Sequence, residues 1–167
     1  MSETLWAPWR MDYILSDKPD GCVFCNAATQ TGGTDDENYV VYRGKSALII
    51  MNRYPYAHGH LMAVPYKHAD RLEQLSAEEQ RELMDLWILA QRVLIDTFKP
   101  QGVNLGMNLG QAAGAGIEAH LHAHVVPRWM GDTNFMPMLA DTRVMPEHMS
   151  ETHRKLKAVF QAARTTE

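Results

Sequence analysis

The chain has 167 residues, 16 Lys plus Arg against 20 Asp plus Glu, a net charge of -4 and 46% hydrophobic residues. That balance fits one globular domain with a core, and it offers no basic field to track a nucleic-acid polymer. Met1-Ser2-Glu3-Thr4 lacks the basic and apolar regions of a signal peptide, and no apolar run approaches the roughly 20 residues of a bilayer span, so a cytoplasmic protein without a membrane partner is expected.

In chain order, the only two cysteines, Cys22 and Cys25, come first. They cannot build a disulfide framework, and in a reducing compartment they point to metal or redox work. Thr29 to Asn38 lacks apolar periodicity and reads as a surface loop. The pattern then predicts strands over Tyr39 to Arg43, Ala47 to Met51 and Leu61 to Val64, an antiparallel meander. A helix follows, opened by Ser76 with Glu79 three residues on, carrying Leu83, Trp87, Ala90, Leu94 and Phe98 at helical spacing and stopped by Pro100. Two more strands, Val103 to Asn108 and His120 to Val126, flank the glycine-bearing loop Gly110 to Gly116. Pro146 marks where a last helix could begin, with Leu156, Val159, Phe160 and Ala163 on its apolar stripe. This arrangement is α+β rather than regular β-α alternation.

Six of the eight histidines fall in two clusters, His58/His60/His68 and His120/His122/His124. In the second, every other residue is histidine; on a strand all three imidazoles share one face, roughly 6 to 7 Å apart, while Leu121, Ala123 and Val125 pack on the other. Imidazole changes protonation near neutral pH and can attack phosphorus directly, splitting one displacement into two. The adjacent glycine loop could aim backbone N–H groups at non-bridging phosphate oxygens. A solvated amphipathic strand and a plain three-histidine metal site are the alternatives.

His120-Leu121-His122-Ala123-His124-Val125-Val126 resembles the histidine triad (HIT) pattern, His-φ-His-φ-His-φ-φ with φ apolar, Ala123 being a weak φ. Asn52-Arg53-Tyr54-Pro55, Gly59-His60-Leu61 and Val64-Pro65-Tyr66-Lys67-His68 resemble the family's preceding strand pair. The likeness extends to Leu5-Trp6-Ala7-Pro8-Trp9-Arg10, to Val126-Pro127-Arg128-Trp129 and to Gly131-Asp132-Thr133-Asn134-Phe135, a set similar to the bacterial branch that includes diadenosine tetraphosphate phosphorylases.

The resemblance implies a HIT-like antiparallel sheet of about five strands with a long central helix and a C-terminal helix. Residues 1–38 would form an extension bearing the cysteines, 39–130 the core and 131–167 a tail and helix. It implies that His122 attacks the α-phosphorus of a nucleotide and forms a nucleotidyl-histidine. His124 would contact phosphate and leaving group, with His60 beside them. Asn52 would bind ribose, Ile50 would line the base pocket, and Asn108, Gly114 and Gly116 would lie on the phosphate side. For Asn52 and Asn108 the competing reading is turn or strand-end chemistry. Several family members place a Gln and a hydroxyl residue after the glycine where this chain has Gly116-Ile117-Glu118-Ala119, so the leaving-group ligand is left unassigned. A homodimer is implied, and no organic cofactor.

Cys22-Val23-Phe24-Cys25 has the spacing of half a zinc site, and a closed structural site needs four ligands. Galactose-1-phosphate uridylyltransferases, distant relatives of HIT proteins, complete such a site with histidines whose positions here look like His68 and His120. That would fix the backbone next to His122 without joining the chemistry. Two ordinary buried thiols are the alternative. Trp6 and Trp9 are read as packing, the methionines of Met130 to Met149 as gap-filling, and His58, His148 and His153 are given no role. The expected activity is nucleotidyl transfer or hydrolysis on dinucleoside polyphosphates. A purine nucleoside phosphoramidase, a non-catalytic nucleotide-binding protein and a zinc hydrolase built on the three histidines are the alternatives.

Overall fold

Apolar, β-branched stretches bounded by tight turns form the strands of this computed structural model, which describes residues 21–31, 33–132 and 145–164. Trp6, Trp9 and the rest of 5–10, with Thr133, Asn134 and Phe135, lie outside the described residues. In chain order the elements are α1 (Val23–Thr29), β1 (Val40–Arg43), β2 (Ala47–Met51), β3 (Leu61–Pro65), α2 (Ala77–Phe98), β4 (Gly102–Met107), β5 (Ala123–Arg128) and α3 (Met149–Arg164). The five strands form one antiparallel sheet in the order β1-β2-β3-β5-β4. No helix among the described residues is long and apolar enough to cross a membrane.

Each sheet face has its own cover. Ile49, Leu61, Ala63 and Val125 meet Leu83, Ala90 and Leu94 of α2 and Leu156 and Phe160 of α3. Complete burial of a side chain such as Leu94 or Phe160 contributes roughly 1.5–3 kcal/mol. Because β2 and β3 are covered on both sides, every one of their residues is buried. Ser76 Oγ accepts from the Glu79 N–H while the Glu79 carboxylate accepts from the Ser76 N–H, so the expected capping box starts α2. Lys99 in the left-handed region ends it before Pro100.

On the opposite face Leu48, Ile50, Met62 and Val64 pack against Phe24 and Ala27 of α1. This short helix stands where the sequence suggested only a cysteine pair ahead of a loop. With no basic residue in its own last turn, α1 is held by Arg43, whose guanidinium donates to the carbonyls of Ala27 and Ala28 and to Asp35. A cation there also meets the negative end of the helix dipole.

Several boundaries differ from expectation: β3 runs on to Pro65, β4 lies one residue earlier at Gly102–Met107, and β5 runs on to Arg128. β1 begins at Val40 beside a register shift, and the Val40 carbonyl accepts from His153 Nε2 at 3.1 Å, which gives that buried histidine of α3 a docking role. The last helix starts at Met149, three residues beyond Pro146. β5 starts at Ala123 rather than His120, because the Pro65 carbonyl that would extend the ladder accepts a side-chain bond from His120 instead. Of the methionines in 130–149, Met149 packs partly against the core, whereas Met130 is 86% exposed.

Candidate active site and metal centre

Although only His124 of the triad sits within β5, the alternation survives outside the ladder. The Leu121 N–H donates to the Ala69 carbonyl at 2.7 Å and its side chain enters the α2-side core, which turns His120 and His122 to the other face with His124. All three are buried.

Hydrogen bonding assigns their tautomers. His122 Nδ1 lies 2.8 Å from the His120 carbonyl, which can only accept, so Nδ1 carries the proton and Nε2 the lone pair. The Tyr56 N–H donates to His60 Nδ1, so His60 Nε2–H donates to His124 Nδ1 at 2.9 Å. The proton of His124 is therefore on Nε2, a buried donor with no acceptor among the described residues. Burial first, and the neighbouring His122 second, pull the His124 pKa down to about 4, so it is a neutral N–H donor at neutral pH. Unpaired buried donors are rare, and one at the end of such a relay marks a place for ligand oxygen.

The scaffold fixes this pair from two sides. Trp87 of α2 donates its indole N–H to the His124 carbonyl at 2.9 Å. Gly59, at φ +76°, precedes His60 with its Cα pressed on α2, and a Cβ there would meet Phe98 at 3.1 Å. Any other residue would strain the turn that delivers His60.

Phe24 packs on the rings of His122 (5.2 Å) and His120 (5.4 Å). Ile50 is buried beneath α1. Asn52 accepts from the Tyr54 N–H at 2.9 Å, closing a turn, and its amide approaches His60 Nδ1 at 3.3 Å. In the glycine loop the N–H groups of Ala113, Gly114 and Ala115 bond within the loop itself, and Gly114 and Gly116 are exposed.

Asn108 lines an open cavity of about 830 Å³ over β4 and β5, together with His124, Tyr56, His58, Asn104, Gly106, Arg128 and Trp129. His58, given no role from sequence, stands on Phe98 at 4.8 Å with Nε2 3.9 Å from Glu147. Burial lowers its pKa despite that carboxylate. Its proximity to His60 in the Gly59 turn was the available signal. Gly106 carried no local signal and Arg128 stood only within the resemblance stretch Val126-Pro127-Arg128-Trp129, since their place depends on the β4–β5 register.

At the other end of the triad, Cys22, Cys25, His68 and His120 bring four ligand atoms within 4.8 Å of one another. His68 Nδ1 lies 3.2 Å from Cys25 Sγ, and His120 Nδ1 lies 3.3 and 3.5 Å from the two sulfurs. A tetrahedral centre with bonds of about 2.3 Å to S and 2.0 Å to N places S and N roughly 3.5 Å apart. His120 Nε2–H donates to the Pro65 carbonyl at 2.9 Å, which leaves the Nδ1 lone pair for a metal. The donor set therefore fits a metal ion. His122 and His124 belong to no such ligand group among the described residues, so the three triad histidines do not form a metal cage.

Comparison with known proteins agrees with this geometry. Residues 34–130 match the HIT domain family, and the chain belongs to it. It is 39% identical over 160 residues to an AP-4-A phosphorylase of Mycobacterium tuberculosis, covering 92% of this chain and 82% of that one. Among solved structures it is similar to a hypothetical histidine triad nucleotide-binding protein of Sulfolobus tokodaii, at TM-score 0.69 and 26% identity, covering 86% of this chain and 94% of that one. A Zn-bound histidine triad family protein of Mycobacterium smegmatis has the same TM-score and identity over 88% of this chain and 98% of its own.

Proposed function

We propose that this HIT-domain protein is a nucleotidyltransferase that cleaves dinucleoside polyphosphates such as diadenosine tetraphosphate at the α-phosphorus, with inorganic phosphate as the acceptor. The observation that carries this reading is the proton placement: a lone pair on His122 Nε2 beside an unpaired N–H on His124.

In the first step His122 Nε2 attacks the α-phosphorus. The N–P bond forms as the bond to the bridging oxygen breaks, and the electron pair leaves with the nucleoside polyphosphate. The His124 Nε2–H stabilises the oxygen on which charge develops. Being neutral, it does so as a hydrogen-bond donor held ready by His60. In the second step a phosphate oxygen attacks the nucleotidyl-His122, the P–N bond breaks and the lone pair returns to Nε2. Diadenosine tetraphosphate plus phosphate thus gives ADP plus ATP.

Phosphate is favoured over water as acceptor by the 39% identity to an AP-4-A phosphorylase. Incubation of the purified protein with diadenosine tetraphosphate, with and without phosphate, decides it: ADP plus ATP formed only with phosphate supports the proposal. AMP plus ATP makes the protein a hydrolase, and no turnover leaves a nucleotide-binding protein.

In the same reading, Asn52 and Ile50 hold the ribose and base of the transferred nucleotide, and Asn108, Gly114 and Gly116 border its phosphates. The metal is a structural zinc held by Cys22, Cys25, His68 and His120, which fixes the backbone two residues before His122 and takes no part in the reaction. The protein works in the cytoplasm on small nucleotides rather than nucleic-acid polymers. It forms a homodimer, for which the edge strand β4, with Leu105 exposed, and the exposed Met84 and Ile88 of α2 supply apolar surface. Light scattering tests the dimer.

A further inference from the structure

The two flanks of the His122/His124 pair are built differently. Toward β2 and β3 the sheet is roofed by α1, with Phe24 against His122. Toward β4 it is open among the described residues, and the cavity of about 830 Å³ lies there. His124 lines this cavity and His122 does not. In an in-line displacement the nucleophile and the departing oxygen stand on opposite sides of phosphorus. With His122 as nucleophile, the leaving group runs outward past His124, along the face of β5 that carries Val126 and Arg128.

We infer that this cavity is the subsite for the departing nucleoside polyphosphate, so that the protein grips both halves of a dinucleotide. The inference rests on the proposed chemistry at His122 and extends it. Three features of the walls carry it. First, Gly106 stands directly across the ladder from His124, and a Cβ built on it meets no described residue within 4 Å. The floor beside the reacting centre is therefore bare backbone, low enough for a phosphate chain. Second, four residues along β5 span about 13 Å, and at that distance Arg128 donates to both oxygens of Asp132, at 2.6 and 2.9 Å, and to Asn104 Oδ1 at 3.1 Å. A guanidinium already balanced by a carboxylate suits the donor and acceptor edge of a base better than another phosphate. Third, Tyr56 and Trp129 add aromatic surface to the walls, which suits a flat ring.

The chemical class is thus a nucleoside with a polyphosphate arm, read at its far end by Arg128, Asp132 and Asn104. A substrate with a small leaving group, such as adenosine 5′-phosphoramidate, leaves this cavity empty. Discrimination between the two is a property of β4 and β5 and is separate from the histidine chemistry.

The test uses the full chain and separates binding from turnover. In a His122→Ala background, calorimetry with diadenosine tetraphosphate and with AMP reads the worth of the second half; tighter binding of the dinucleotide by tenfold or more is expected. Adding Gly106→Val, which puts a branched side chain onto the bare floor, is expected to cost the dinucleotide at least tenfold more than AMP. Arg128→Ala, at an exposed position, is the second variant and is expected to shift the same ratio by at least threefold. Equal affinities for the two ligands, or equal losses on both in the variants, overturn the inference. Turnover by the chain with His122 intact is read in parallel. A chain that binds the dinucleotide selectively but never cleaves it refutes the histidine chemistry and keeps the subsite.

Discussion

His120 and His124 are the outer members of one evenly spaced set, yet their surroundings make them opposites. His120 spends both ring nitrogens on the scaffold, Nε2 on the Pro65 carbonyl and Nδ1 toward the two thiols. His124 spends one nitrogen on His60 and keeps the other unpaired beside an open cavity. One side chain, repeated along one backbone, is tied to the scaffold at one end and presents an unpaired donor at the other. The difference comes from what the neighbouring elements offer: carbonyl and sulfur from the β3 end and α1, imidazole and a glycine floor from the Gly59 turn and β4. His122 lies between them, anchored by one nitrogen and armed by the other.

The contrast can be broken at its centre first. His122→Ala is expected to reduce turnover of diadenosine tetraphosphate by at least about a thousandfold while nucleotide binding stays measurable by calorimetry. An active variant would end the nucleophile assignment. At the anchor end, Cys25→Ser is expected to lower zinc content from about one per chain toward zero and the Tm by roughly 10 °C or more. Metal analysis and calorimetric melting check this, and unchanged melting would show that the four ligands do not hold the fold.

At the reactive end the effects are smaller. Trp87→Phe keeps the ring and removes the donor to the His124 carbonyl, which should cost about 1–2 kcal/mol in denaturant melts and lower kcat more than it raises KM. Smallest is the pH effect. The folded pKa of His124, about 4, lies below the ordinary value of 6.5, so the unfolded chain takes up a proton in a range where the folded chain refuses it. Its neutral burial is therefore fully accommodated above pH 6.5 and costs stability progressively as pH falls toward 4. Between pH 7 and pH 5 the wild type should lose roughly 2–5 °C more in Tm than His124→Gln. Equal losses would mean that His124 titrates normally.

Where local chemistry decides, the fold was legible in the sequence. β2 runs over the residues its apolar pattern marks, Ala47–Met51, because a strand buried on both faces is a continuous apolar run ending at turns. The start of α2 was readable from Ser76 and Glu79, since a capping box is local chemistry. The gathering of Cys22, Cys25, His68 and His120 followed from resemblance, and the fold brings them together. What escaped was non-local. α1 has 7 residues and owes its place to Arg43 and to apolar partners on β2 and β3, so nothing within its own stretch marks it. β5 was read too long because a side chain took over a ladder carbonyl, and side-chain competition leaves no periodic trace. Gly106 and Arg128 acquire meaning only once β4 is laid against β5 in register. Which half of a dinucleotide sits where is likewise a property of the assembled sheet.

The packing of α3 on β1 bears on how a ribosome must deliver this molecule. Val40 and His153 lie 113 positions apart, and Leu156 and Phe160 help close the core above the first strands. Synthesis runs from the N-terminus, so the earliest strands emerge long before their last cover exists. Until that segment clears the exit tunnel, the part of the apolar face over β1 has no lid, and it is in this window that the chain is most open to chaperones and to self-association.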